Sequence, residues 1–286
     1  LRNNIGGGNT GLGMSSLEDN TSGEQNVAVG FRAMTDHTSG NWNVAIGHDA
    51  LRRDTSGNNN IAIGAKSSYE AQSNNSIAIG RASLYNNTAD GSVAVGDSTM
   101  FHQTSGGANT AVGDKALKSN TIGNSNTAIG FRSMELMDGA LGNTAIGINT
   151  LRQTSGWVNT AIGMNALSMN DTGFENNGFG AQALQSNISG DNNTAIGTNA
   201  LQLNESGNRN ISIGNSSQAT ATNASKNISI GSHNLYTNTS NGVIAIGDSV
   251  LYNVEEAIGN TVVGTNVFQN ALTVTNNTVL GYEAMQ

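Results

Sequence analysis

A parallel β-solenoid is the fold this sequence predicts, and three observations predict it. A glycine recurs seventeen times between Gly13 and Gly281, always 16 or 17 residues after the last. A triplet of β-branched, small and β-branched residues precedes nearly every one. The composition is spare: no proline, no cysteine, 37 glycines, 36% apolar, 5% aromatic and 11% charged residues. That is too little bulk for a thick globular core and too little charge for ordinary disorder. Self-similarity at a short fixed period is the mark of stacked repeats, each covering the next.

The elements follow in order when each glycine is numbered zero. Position −4 is Asn in fourteen copies. Position −3 is Val, Ile or Thr in sixteen, and −1 is aliphatic in sixteen. Position −2 is Ala, Ser or Gly in fifteen. Side chains alternate across a strand, so −3 and −1 share one face and −2 takes the other. We expect −3 and −1 to fill the coil and −2 to allow close approach of partner chains. The glycine permits a sharp bend. Position +4 is Leu or Met in fourteen copies, Leu1 and Met285 bounding the column. Residues +1 to +5 read as a second short strand or a corner, with a bend that spacing alone does not locate. Turn residues such as "TSG" at 38–40 and 154–156 close each repeat. Apolar residues follow no 3.6-residue period, which argues against helix.

About seventeen coils of 16–17 residues thus stack over 1–286 as one uninterrupted array. The stretch "SGNWNVAIGHDAL" at 39–51 gives Asn43 a place in an amide ladder, Ala45 close contact, Ile46 and Leu51 the interior, and Gly47 the bend. Asn143, Ala145, Ile146, Gly147 and Leu151 repeat these roles. The array begins and ends in mid-repeat, so a slice of a longer fibre without caps is expected.

The net charge of −8 has no basic block, which disfavours nucleic acid. No stretch suits membrane insertion. His37, His48, His102 and His233 fall at different repeat phases and read as surface decoration, not a metal cluster. No catalytic arrangement recurs in phase, so neither an enzyme nor a cofactor is expected. Turn Asn residues are read as structural, since calcium favours carboxylate charge.

Aromatics give the candidate surface contacts. Tyr69, Tyr85 and Phe101 share position +5 in consecutive copies, as do Tyr236 and Tyr252. They are expected to stack along the array, as packing or as a strip for a cell-surface glycan or protein receptor. Phe131, Ile148 and Met164 form a second strip at +1. Trp42 and Trp157 are both assigned to turn position −5.

The copies "NSIAIG" at 75–80 and "GSVAVG" at 91–96 resemble the head repeat of YadA-like trimeric autotransporter adhesins. The longer form, as in "SGDNNTAIGTNAL" at 189–201, is similar to repeat arrays of phage and viral tail fibres. The resemblance covers the whole chain. It implies a left-handed β-roll, three chains intertwined as a homotrimer, and an extracellular fibre on a virion tail or bacterial surface that displays or spaces a cell-attachment function. The repeat is longer than that of the adhesin head, and the adhesin's stalk and anchor lie outside this sequence. A different expectation rests on the −3 threonines Thr110, Thr127, Thr144, Thr160 and Thr194: a monomeric ice- or surface-binding solenoid. Threonine in that column is expected to face the interior, which counts against it.

Overall fold

Every strand of the chain ends beside one of the recurrent glycines. The structure, a computed structural model, describes residues 5–284, so Leu1 and Met285 lie outside the described residues. The chain divides into two units, Leu1–Gly142 and Asn143–Gln286. The first holds β1 (Thr10–Leu12), β2 (Val27–Val29), β3 (Val44–Ile46), β4 (Ile61–Ile63), β5 (Ile77–Ile79), β6 (Val93–Val95), β7 (Thr110–Val112) and β8 (Thr127–Ile129). The second holds β9 (Thr144–Ile146), β10 (Thr160–Ile162), β11 (Asn177–Phe179), β12 (Thr194–Ile196), β13 (Ile211–Ile213), β14 (Ile228–Ile230), β15 (Ile244–Asp248), β16 (Thr261–Thr265) and β17 (Thr278–Tyr282). Within each unit successive strands pair in parallel, equivalent residue to equivalent residue: Ala45 lies between Ala28 and Ala62. No helix occurs among the described residues. The fold is the all-β parallel solenoid, with one strand per turn.

The two faces of the strand are the reverse of the expected assignment. Ala45, Ala62, Ala78, Ala94 and Ala111 at −2 are fully buried, whereas Ile46 at −1 is 39% exposed. The reason is the width of the coil. A Cβ added at Gly178, the −2 residue of its turn, would meet Leu167 Cδ1 at 3.4 Å. The strand therefore lies directly over the +4 column, and only a methyl fits between them. The interior is built from −2 alanines, +3 alanines and +4 leucines or methionines.

The segment from +1 to +6 is a run of turns, not a second strand. Positions +2 and +4 adopt left-handed backbone, as at Asp49 (φ 57°) and Leu51 (φ 47°). In a strand, polar +2 and apolar +4 would share one face; here the chain coils instead, so Leu51 turns in and is fully buried. Amides still pair between turns. Arg32 N–H donates to Met14 O of the turn before (3.0 Å), and Met34 N–H to Ala50 O of the turn after (2.9 Å). The buried backbone is thereby satisfied without a second sheet. Gly47 shows why the column at zero is invariant. Its φ is +140°, and a Cβ there would lie 2.6 Å from Gly64 O.

The last turns are filled differently. Val243, Val250, Val254, Val262 and Val279 enter the core where Asn, Ala or Ser stand elsewhere, and β15 to β17 lengthen to five residues.

Candidate functional site

Three surfaces and two buried columns hold the residues singled out by the sequence. The first surface is the outward strand face. Ile46, Ile79, Val112 and Ile129 in the first unit, and Ile146, Ile162 and Ile196 in the second, are exposed large aliphatics at −1. The −3 column beside them is half-buried, from Val27 to Val93 and from Thr110 to Thr127 in the first unit. The −3 threonines thus share the outward face with −1. The expected interior placement of threonine is overturned, for the reason already given: the coil admits only small side chains there. Parallel sheets are ordinarily covered on both faces, and this one presents bare aliphatics along each unit.

The Asn column at −4 lies just inside that face. Asn43 N–H donates to Asn26 Oδ1 (2.8 Å), and its Nδ2 donates to the same oxygen (3.1 Å) and to Gly57 O (2.7 Å). Its own Oδ1 accepts from Asn60 N–H at 2.9 Å. Asn143 Oδ1 in turn accepts from Asn159 N–H at 2.8 Å. Each amide ties three turns together.

A second polar column, at +7, escaped the reading of the sequence. Asn20, Asn120, Asn170, Asn187 and Asn204 are fully buried there. Asn120 Oδ1 accepts from Gly123 N–H (2.9 Å) while its Nδ2 donates to Gly123 O (3.0 Å), closing the outer turn. The signal was an Asn three residues before the turn glycine, as in Asn20 and Gly23. His37 belongs to this column. It is fully buried, so its reading as surface decoration is corrected. Its Nδ1 lies 2.9 Å from Asp54 O and its Nε2 3.0 Å from Gly40 O, so the ring stands where the amide stands in other turns and faces two carbonyls. Asp54 follows it in the column. Burial pushes its carboxyl above the ordinary range, opposed by N–H bonds from Gly57 (2.7 Å) and Ser56 (3.2 Å) and by His37.

The other histidines pack on aromatic rings. His48 stacks on Phe31 (5.3 Å), His102 meets Phe101 edge-on, and His233 lies near Tyr236 and Tyr252. Among the described residues, no three His, Asp or Glu side chains gather as a metal site.

The second surface is the +5 strip. Tyr69 and Tyr85 stack at 5.0 Å and 17°, Tyr85 and Phe101 at 4.9 Å and 16°, and Tyr236 and Tyr252 at 5.2 Å and 28°. These separations match the ~4.8 Å rise between turns, so the ring faces cover one another and solvent meets edges. Arg52 Nη1 donates to Tyr69 OH at 2.9 Å, and Tyr69 is almost wholly buried. A sugar ring that stacks on an aromatic needs a free face, and Tyr85, covered on both sides, offers none. Phe131 at +1 carries Arg132 over its ring at 4.9 Å; Ile148 and Met164 are about half exposed.

The third surface is the corner before the Asn column. Trp42 occupies −5 with left-handed backbone (φ 56°), and its Nε1 donates to Gln25 Oε1. Trp157 does not share that position. Val158 holds the left-handed −5 site in its turn, and Trp157 sits at −6, so the two tryptophans face different neighbours. Both are more than half exposed. Phe174, at −6 in the next turn, lies 6.2 Å from Trp157 at a 40° tilt.

Fold and surfaces together define a β-solenoid repeat protein with a bare aliphatic strand face and few sites of concentrated chemistry. No family model matches the chain, and no curated protein is detectably similar to it.

Proposed function

We propose that the chain is a structural fibre segment, three copies of which pack through their outward strand faces. It spaces or displays a cell-attachment function on a viral tail fibre or a bacterial surface adhesin, outside the cell, and does no catalysis. The observation that carries this is the inverted strand: alanines inside, isoleucines and valines outside, on a parallel sheet. An uncovered row of that kind marks an interaction site. Most turns repeat it, so a partner surface that repeats with the same rise fits it, as a second and third copy of the chain do. The likeness of "NSIAIG" to the adhesin head repeat and of the longer form to tail-fibre arrays supports the same reading.

Sedimentation equilibrium tests it. The expected mass is three chains, falling to one chain when Ile46, Ile79 and Ile129 are all changed to Asn. A monomer at micromolar concentration, or an unaltered trimer in the triple variant, would count against the reading. One observation favours a second reading, a monomeric ice- or surface-binding solenoid: the −3 threonines face outward. Thermal hysteresis in a monomeric sample would favour it.

A further inference from the structure

In the second unit the corner around Trp157 and Phe174 differs from the rest of the array in three ways. The first is charge. Residues 143–286 contain three cations, Arg152, Arg209 and Lys226, against eight carboxylates. Two of the three occupy −5 in consecutive turns. Arg209 N–H bonds to Asp191 O (3.0 Å) and Lys226 N–H to Asn208 O (2.8 Å), which fixes their backbones one rise apart. Like charges side by side in adjacent turns repel, and a glycine or an Asn fills this column in many other turns. Neither cation forms an ion pair among the described residues, and both are exposed. The nearby Asp191 carboxylate already accepts from Phe174 N–H at 3.0 Å.

The second difference is the aromatic geometry. Trp157 is 59% and Phe174 38% exposed, and their 40° tilt leaves ring faces open, unlike the flat +5 stacks. The third is shape. A shallow groove of ≈ 370 Å³ runs past Phe174, Asp191, Asn192, Arg209 and Lys226. That is within the range of small-ligand sites. The Asn192 side chain is exposed and makes no hydrogen bond among the described residues, so its amide is free to donate and accept.

We propose that this groove binds an acidic saccharide, a short chain of sugar rings carrying carboxylate or sulfate. The apolar face of one ring lies on Phe174 and Trp157. Arg209 and Lys226, two to three rises (~10–14 Å) further along, hold the anionic groups. An inorganic anion would use the cations and leave the aromatics idle, whereas an acidic saccharide uses both. All of the site comes from one chain, so the inference stands apart from the trimer.

Titration calorimetry on the full chain tests it, with sialyllactose and a heparin-derived tetrasaccharide as probes and lactose and sodium sulfate as controls. At least one acidic probe is expected to saturate one site per chain, at least tenfold tighter than either control. Arg209→Gln with Lys226→Gln, and separately Phe174→Ala, should each weaken it tenfold or more at unchanged melting temperature. The proposal is overturned if neither acidic probe outbinds the controls, or if binding survives both sets of substitutions. A Glu-rich peptide that binds more tightly than both saccharides would also overturn it. Sedimentation of the same samples reads the trimer separately, so either idea can fail alone.

Discussion

Leu51 holds two requirements that oppose each other. Its side chain is fully buried, yet its φ is +47°, a region that costs an ordinary residue about 1–2 kcal/mol. Burial of a leucine contributes roughly 1.5–3 kcal/mol, so the position favours a large side chain that is unbranched at Cβ. The column accordingly holds Leu or Met in fourteen copies, Ser68, Gln218 and Phe268 in the others and never Val or Ile, whereas −1 and −3 are rich in both. Leu51→Met should cost less than about 1.5 kcal/mol, as a volume-conserving change. Leu51→Val should cost about 2 kcal/mol or more, from the lost carbon and a β-branch at positive φ. Urea unfolding of the two variants decides it, and equal losses would refute the backbone argument. That missing β-branch was the legible clue that +1 to +5 is no strand; alternation alone could not supply it.

Asp54 makes the companion case for charge. Its folded carboxyl is raised above the ordinary value of 3.8, chiefly by burial. A raised carboxyl favours folding below its unfolded pKa, and that contribution is lost as pH climbs through the folded value. Asp54→Asn puts the amide of Asn20 and Asn120 into the same column. It should raise the melting temperature at pH 7 and leave it little changed below pH about 3, where Asp54 is already protonated. A pH-independent difference would show that the charge is not the cause.

At the scale of one turn, the Asn at −4 and the glycine at zero matter more than the strand, which is three residues long in most turns. Asn43→Ala leaves Gly57 O without its amide donor and Asn60 N–H without its acceptor. Each buried orphan costs about 1–3 kcal/mol, so a loss of roughly 2–6 kcal/mol is expected. Hydrogen exchange should localise the damage to the turns holding Asn26, Asn43 and Asn60; uniform exchange across the unit would contradict the ladder account. Periodicity made the period, the glycine bend and the ladder column legible. The column at +7 was not, because Ala71, Met137, Ala221 and Val254 interrupt it and Asn, His, Asp, Gln and Thr all serve elsewhere in it. What unites them is a side-chain acceptor or donor at one place, not a residue name.

At the scale of the whole molecule, the repeat is legible in the residues but its inner side is not. Alternation says that −2 opposes −1 and −3; it is silent on which face is buried. Size settled it, through the narrow gap between strand and +4 column at Gly178 and Leu167. The candidate aromatics divided for a similar reason. Tyr69, Tyr85 and Phe101 have the right residue types for recognition, but the rise between turns closes both faces of Tyr85 and one face of each neighbour. Trp157 and Phe174 keep theirs because they are tilted.

The −4 amides carry a sense of direction. At Asn43, Asn60, Asn126, Asn159, Asn193 and Asn210 the later turn's N–H donates to the earlier turn's Oδ1, never the reverse. The −4 side-chain dipoles within each unit therefore point one way, head to tail, while the −6 acceptors run against them: Asn41 N–H donates to Asn58 Oδ1 (2.9 Å) and Phe174 N–H to Asp191 Oδ1 (3.0 Å). Aligned dipoles polarise one another and strengthen each link. The −4 column is thus a one-way street running against the −6 column, and a turn inserted backwards would meet neighbours oriented against it.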